Sequence, residues 1–207
     1  MIMKFVSVYF DVNNGAVNNM SLISFCAYLL DPATLMFGPW ISFRQFRDSL
    51  EEGALKDVVA DGFRGLVILL ISFVFAFFST CATEVLFPDF WFLTAFGTAQ
   101  SFRFSHYFVG ALSHGIMIIS GSDCGYISRW WRVEFPRSLV DVVVSWDLPM
   151  HRFLRKYVFG EVRHKGAGFA VFVTYVVSSL LHGINFQLSA ILLSLGLHTF
   201  VETSNSV

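Results

Sequence analysis

The sequence predicts an all-α fold: a polytopic bundle of membrane helices that also contains re-entrant helices and amphipathic helices lying at the membrane surface. Composition supports this class, because 55% of the residues are hydrophobic and only 14% are charged, against about 25% charged residues in soluble domains. Two long stretches, Gly65 to Thr83 and Gly166 to Val201, contain no Asp, Glu, Lys or Arg. Uncharged stretches of this length are typical of helices that cross a bilayer.

The first apolar stretch, Met20 to Trp40, is interrupted by Asp31-Pro32 and ends at Gly38-Pro39-Trp40. Proline lacks a backbone donor and kinks a helix. Broken backbone at membrane depth is stable only where protein or water covers it. We therefore expect a broken or re-entrant helix here rather than a clean span.

Two spanning helices are expected in the middle of the chain. The first, Gly65 to Thr83, is rich in Leu, Ile, Val and Phe. The second, Phe104 to Ser122, includes His106 and His114, which lie about two helical turns apart and could share a face. A metal site would need further ligands at suitable spacing, and none is evident. We expect these histidines to pack or to line a tunnel.

The region from Ser122 to Gly166 has an amphipathic character. Between Arg129 and Lys165 it contains twice as many Lys and Arg residues as Asp and Glu residues, which favours the cytosolic face of a membrane. Tryptophan side chains are interspersed among these charges, as is typical of helices lying at headgroup level. The histidines of this region, His151 and His164, are expected to be solvated.

The stretch from Gly166 to Val201 would extend about 54 Å as one helix, which exceeds the roughly 30 Å hydrocarbon core of a bilayer. We expect it to break at Gly183, because glycine tolerates the backbone geometry of a helix end. His182 would then lie at the end of the first segment. A neutral imidazole in apolar surroundings is a competent general base, although a structural histidine bonded to a neighbouring helix explains the residue equally well.

Several functions are excluded or disfavoured by the same sequence. No dense basic patch is combined with aromatic residues for base stacking, so a nucleic-acid partner is not expected. The three cysteines, Cys26, Cys81 and Cys124, lack paired spacing, which disfavours a disulfide framework or a zinc site. We expect no metal and no permanently bound cofactor.

Six blocks of the sequence resemble the membrane-bound O-acyltransferase family, in the order that the family shows. The block around His182 carries the resemblance most clearly, from Ser178 to Gln187 and on through Ala190 to Leu195. The other blocks are Phe37 to Phe43, Phe102 to Gly110, Pro136 to Val140, Ser145 to Met150 and Tyr157 to Phe159. On this basis we expect residues 1–207 to form a single domain of this type, incomplete at both ends.

The resemblance is strongest to one branch of that family, and it implies a specific reaction. A palmitoleoyl group passes from palmitoleoyl-CoA, which is a substrate, to a serine hydroxyl of a Wnt protein at the endoplasmic reticulum membrane. His182 matches the catalytic histidine, and Asp147 matches a second catalytic position that is usually asparagine in that branch. An ionised aspartate only accepts hydrogen bonds, so Asp147 would orient the imidazole, or it could simply cap a helix.

Attack on a thioester also needs a donor that stabilises the oxyanion. Trp146, Ser178, Ser179 and Asn185 are candidates, and nothing in their spacing selects one of them. Basic residues could bind either the phosphates of coenzyme A or anionic lipid headgroups, and the lipid explanation is favoured for any one of them. These basic residues are Arg129, Arg132, Arg152, Arg155 and Lys156.

Two alternative functions stay open at this point. The same acyl chemistry could serve a lipid or sterol alcohol instead of a protein serine. Alternatively, the chain could be a non-catalytic relative, a membrane scaffold that binds acyl-CoA or a Wnt protein without turnover. In each case membrane lipids surround the protein.

Overall fold

The computed structural model describes residues 1–18, 20–35, 38–50, 55–82, 85, 90–183 and 186–204. In these residues the regular structure is helical throughout, which confirms the all-α class. The helices are α1 (Ile2–Asn13), α2 (Leu22–Leu30), α3 (Pro32–Leu35), α4 (Phe43–Asp48), α5 (Leu55–Phe77), α6 (Trp91–Ile119), α7 (Trp130–Glu134), α8 (Leu139–Trp146), α9 (Leu148–Leu154), α10 (Gly160–Val162), α11 (Ala167–Leu181) and α12 (Phe186–Ser204). Helical turns of other types are Phe78–Ala82 and Arg155–Phe159, both π, and Arg163–Lys165, which is 3₁₀.

The chain divides into two compact units. The first unit is formed essentially by residues 19–128, and the second by residues 2–18 together with 129–207. Each unit has its own set of packed helices.

In the first unit, α2 and α3 form the broken helix that the sequence predicts. The Ser21 hydroxyl accepts the Ser24 N–H at 3.1 Å and so begins α2. The helix ends at Leu30, and Asp31 leaves the helical region with φ −52° and ψ 115°. Pro32 then begins α3, in the first-turn position where its missing N–H costs nothing. The break is confirmed, whereas a re-entrant path through a membrane remains a prediction.

Helices α5 and α6 pack against each other and form the main contact of the first unit. The first predicted span lies in α5 and the π turn that follows it. Among the described residues, one helical segment is long and apolar enough to cross a bilayer, Asp57–Cys81, with a mean hydropathy of 2.1. Little of this segment is buried by protein, so most of its apolar surface is free to face lipid.

Helix α6 is longer than the sequence suggests, since it begins at Trp91 rather than near Phe104. Arg103 lies half-buried within the helix, where its Nε donates to the Gln100 Oε1 at 3.1 Å, so its charge does not end the helix. Arginine is also a good helix former.

The second unit contains the short helices α7, α8 and α9, in the region where the sequence predicts amphipathic helices. Their position at a membrane surface remains a prediction. The predicted break in the last apolar stretch is confirmed, because α11 ends at Leu181 and α12 begins at Phe186. Gly183 has φ +95°, a conformation that favours glycine. Helices α11 and α12 pack on each other, α8 contacts α12, and α9 contacts α11.

Candidate active site

His182 caps the carboxyl end of α11, and the structure holds its side chain in a defined way. Its backbone N–H donates to the Ser178 carbonyl at 3.1 Å, and its Nδ1 lies 2.8 Å from the same oxygen. A carbonyl oxygen only accepts hydrogen bonds, so Nδ1 must carry the proton. In the neutral ring this leaves the lone pair of Nε2 available as a base. The imidazole is exposed at the surface of the unit.

Asp147 lies between α8 and α9 and caps the second of them. Its Oδ1 accepts the Met150 N–H at 2.9 Å, and its carbonyl accepts the His151 N–H at 2.9 Å. The structure describes the side chains of both Asp147 and His182, and it shows no hydrogen bond between them. The capping alternative is therefore realised, and the catalytic pairing of these two residues stays a prediction.

The predicted oxyanion donors are found in different settings. Ser178 and Ser179 are both buried in the last turn of α11. The Ser179 hydroxyl donates to the Ser189 hydroxyl at 2.6 Å, which joins α11 to α12. Trp146 is half-buried at the end of α8, and Asn185 lies outside the described residues. The geometry singles out none of them as the donor.

An ionic cluster around the buried carboxylate of Asp11, in the second unit, was missed by the sequence analysis. The Lys156 Nζ lies 2.8 Å from the Asp11 Oδ1, and the Tyr157 hydroxyl donates to the Asp11 Oδ2 at 2.8 Å. The side chain of Asp11 is only 6% exposed. Lys156 thus pairs with a buried carboxylate while its own side chain stays 56% exposed, and the pairing weakens its candidacy as a phosphate ligand. A sequence pattern that could have indicated this cluster is the spacing of Lys4, Ser7 and Asp11, which places three polar residues on one face of α1.

His151 differs from the solvated residue that the sequence suggested. It is half-buried on α9, and burial, reinforced by the nearby charge of Arg155, lowers the pKa of its imidazole. His164 is exposed, as expected. Helix α9 contacts α8, α11 and the π turn Arg155–Phe159, and the sequence alone did not show these contacts.

A second polar cluster belongs to the first unit and contains none of the predicted site residues. The Arg64 Nη1 donates to the Asp123 Oδ2 at 2.9 Å, and the Asp123 Oδ1 lies 3.4 Å from the Nε2 of buried His114. Burial raises the pKa of Asp123, but the Gly125 N–H and the Arg64 charge outweigh it and leave that pKa below its usual value. Arg64 and His114 also line an open cavity of about 430 Å³ with apolar side chains of α5.

The described residues contain no group of three His, Cys, Asp or Glu side chains arranged as metal ligands.

Comparison with known proteins points to one family. A model of the membrane-bound O-acyltransferase family matches residues 8–203. The protein-serine O-palmitoleoyltransferase porcupine of Mus musculus is 38% identical over 97% of this chain and 50% of its own length. The Homo sapiens protein of the same name is 37% identical over 97% of the chain and 50% of its own length. The Anopheles gambiae protein is 33% identical over 98% of the chain and 48% of its own length. The chain thus spans about half the length of the curated relatives it matches.

Proposed function

Since the chain belongs to the membrane-bound O-acyltransferase family, we propose that it transfers a palmitoleoyl group from palmitoleoyl-CoA to a serine hydroxyl of a Wnt protein. Similarity to the porcupine proteins over nearly the whole chain supports the substrates. The observation that carries the chemistry is the His182 imidazole, whose Nδ1 is held by the Ser178 carbonyl. We further propose a multi-pass location in the endoplasmic reticulum membrane.

The proposed reaction uses His182 first as a base and then as an acid. Nε2 removes the proton from the serine hydroxyl while the serine oxygen attacks the thioester carbonyl carbon. The carbon–sulfur bond then breaks, and the coenzyme A sulfur leaves with the proton that the imidazole had taken. Positioned proton transfer of this kind contributes roughly 10² to 10⁴ in rate.

The Ser178 carbonyl supports the assignment of Nε2 as the base, because it selects the tautomer of His182 in which Nδ1 carries the proton. If Nδ1 were unprotonated, its lone pair would face the lone pairs of a carbonyl oxygen 2.8 Å away, which is repulsive. With Nδ1 protonated, the Nε2 lone pair is the one that can meet a substrate. The backbone thus performs part of the orienting role that a carboxylate has in a serine-protease triad.

Asp147 is proposed as the second catalytic group, acting from the corner between α8 and α9. Its Oδ1 caps α9, and a carboxylate has a second oxygen with further acceptor capacity. This second oxygen could accept a hydrogen bond from a donor on the substrate or from an imidazolium. The cap itself fixes the position of the carboxylate relative to α9.

The test uses the full chain in lipid nanodiscs, with labelled palmitoleoyl-CoA and a serine peptide from a Wnt protein. Transfer is expected with the unaltered chain and should fall at least a hundredfold in His182→Ala. His198→Ala is the matched control, because His198 is an exposed histidine on α12 of the same unit. Undiminished transfer by His182→Ala would refute the assigned role.

The same assay separates the alternative functions when the acceptor is varied. A lysophospholipid or a sterol in place of the peptide tests the lipid-alcohol alternative. Saturable binding of palmitoleoyl-CoA without transfer to any acceptor would indicate a non-catalytic relative and would overturn the proposed enzymatic activity.

A further inference from the structure

Helices α11 and α12 are joined by a hydroxyl pair on either side of the turn that carries His182. The Ser179 hydroxyl, in the last turn of α11, donates to the Ser189 hydroxyl, in the first turns of α12, at 2.6 Å. Ser179 is 8% exposed, so its hydroxyl has little access to water. We call this pair the serine clasp.

The serine clasp is adjacent to the group that holds the imidazole. Ser178 immediately precedes Ser179, and the Ser178 carbonyl receives both the backbone N–H and the Nδ1 of His182. The helical partner of this carbonyl is the N–H of His182, the residue that ends the helix, and helix ends fray. A bond that ties this turn to α12 therefore restrains the direction of the Ser178 carbonyl.

The rest of the helix pair sets the register in which the clasp can form. The Tyr175 hydroxyl lies 3.1 Å from the Thr199 hydroxyl. The Cα of Gly196 lies against the Tyr175 ring, where an added Cβ would come within 2.8 Å of Cγ and Cδ2. These contacts align the helices at a distance from His182, whereas the serine clasp acts beside it.

We propose that Ser179 and Ser189 are positioning residues for His182, acting through the Ser178 carbonyl. This inference rests on the proposed function, since it assigns the clasp a role in holding the general base. In this role the Ser179 hydroxyl gives its proton to Ser189 and so does not serve as the oxyanion donor. Their bond keeps the last turn of α11 closed, so that the carbonyl holds Nδ1–H and Nε2 keeps one direction.

The physical reason for expecting a functional effect is the steep dependence of catalysis on geometry. A misplacement of about 1 Å can lower a rate by about a hundredfold. Loss of one hydrogen bond of average strength corresponds to about a fivefold change in a population. We therefore expect Ser179→Ala and Ser189→Ala each to lower kcat at least fivefold, with KM for palmitoleoyl-CoA unchanged.

The control variants come from the same helix. Ser194→Ala removes an exposed hydroxyl that bonds only within α12, to the Ile191 carbonyl at 2.8 Å, and it should leave kcat unchanged. Ser189→Thr keeps an acceptor hydroxyl and should retain activity within about twofold, as a smaller change than loss of the bond. The double variant Ser179→Ala with Ser189→Ala should lose no more than either single variant, because both remove the same bond.

A spectroscopic readout separates positioning from general structural damage. In chain labelled with ¹⁵N-histidine, the His182 signals are assigned by their loss in His182→Ala. The unaltered chain should show a protonated Nδ1 and an unprotonated Nε2. Ser179→Ala should move population toward the tautomer protonated at Nε2, and Ser194→Ala should not.

The inference is overturned if Ser179→Ala and Ser189→Ala keep both kcat within twofold and the original tautomer signature. If Ser179→Ala does not fold, the comparison of Ser189→Ala with Ser189→Thr decides. Failure of the proposed function would look different, because the unaltered chain would lack transfer or His182→Ala would retain it. The tautomer measurement still tests the serine clasp in that case.

Discussion

Gly65 and Gly115 face each other where α5 packs on α6, and this contact allows a quantitative test of the packing. A Cβ added to Gly65 would lie 2.6 Å from the Ile119 Cγ1 and 3.1 Å from the Gly115 carbonyl oxygen. Carbon atoms ordinarily approach to about 3.5–4.0 Å, so Ile119 or the whole helix must shift. Such overpacking costs about 1–3 kcal/mol.

Gly62→Ala is the matched control on the same helix. No atom lies within 4 Å of a Cβ built at Gly62, so this variant should only gain the helix propensity of alanine, about 0.5–1 kcal/mol. Gly65→Ala receives the same gain. The difference between the two variants therefore isolates the clash, and we expect Gly65→Ala to be less stable than Gly62→Ala by about 1–3 kcal/mol.

Buried Cys124 provides an assay within the same unit. With exposed Cys26 and Cys81 replaced by serine, a thiol-reactive fluorophore reports thermal exposure of Cys124 in nanodiscs. Gly65→Ala should unfold at a temperature several degrees below that of Gly62→Ala, since about 1 kcal/mol shifts the midpoint by 2–4 °C at this size. Equal midpoints, or a higher midpoint for Gly65→Ala, would refute the close packing of α5 on α6.

Three further predictions concern the second unit. Asp147→Asn should keep the stability of the chain, because asparagine caps helices as well as aspartate does. Asp147→Ala should lower the free energy of unfolding by about 1 kcal/mol in a denaturant titration. If the Asn variant is stable but transfers more slowly, the loss reports on the carboxylate itself. Burial lowers the pKa of His151 below the ordinary histidine value of about 6.5, so the unfolded chain binds a proton there more readily than the folded chain. The free energy of unfolding should therefore fall as pH is lowered through about 6.5, and His151→Gln should reduce that dependence. Asp11→Asn should destabilise the unit by about 1–3 kcal/mol, because it weakens a buried acceptor of the Tyr157 hydroxyl and of the Lys156 ammonium group. A denaturant midpoint unchanged from that of the unaltered chain would contradict the cluster around Asp11.

The helix breaks were accessible to sequence reasoning because their causes are local. Proline at position 32 removes a backbone donor wherever it occurs, and Gly183 adopts a positive φ that other residues avoid. By contrast, the start of α6 was misplaced, since the charge of Arg103 was given more weight than its helix propensity. Within the helix that side chain is half-buried and donates to Gln100.

The candidate site was predicted only in part, because some of its features depend on side-chain rotamers and on packing rather than on local sequence. The uncharged stretch contains both His182 and His198, and the resemblance to the family singled out His182, while its place at a helix end followed from Gly183. The Ser178 carbonyl that holds its Nδ1 is set by the side-chain rotamer and the last helical turn, which a sequence pattern does not specify. The catalytic role of Asp147 remains a prediction, whereas its role as the N-cap of α9 is observed.

By itself the sequence determined that this is a helical membrane protein, where its last apolar stretch divides, and which imidazole is the candidate base. Those conclusions depend on composition and on neighbours along the chain. Only the tertiary structure decided that Asp11 meets Lys156 and Tyr157, that Gly65 faces Gly115 and that Ser179 bonds to Ser189. Such contacts join residues on different helices, and their existence depends on how whole helices pack, which no local pattern encodes.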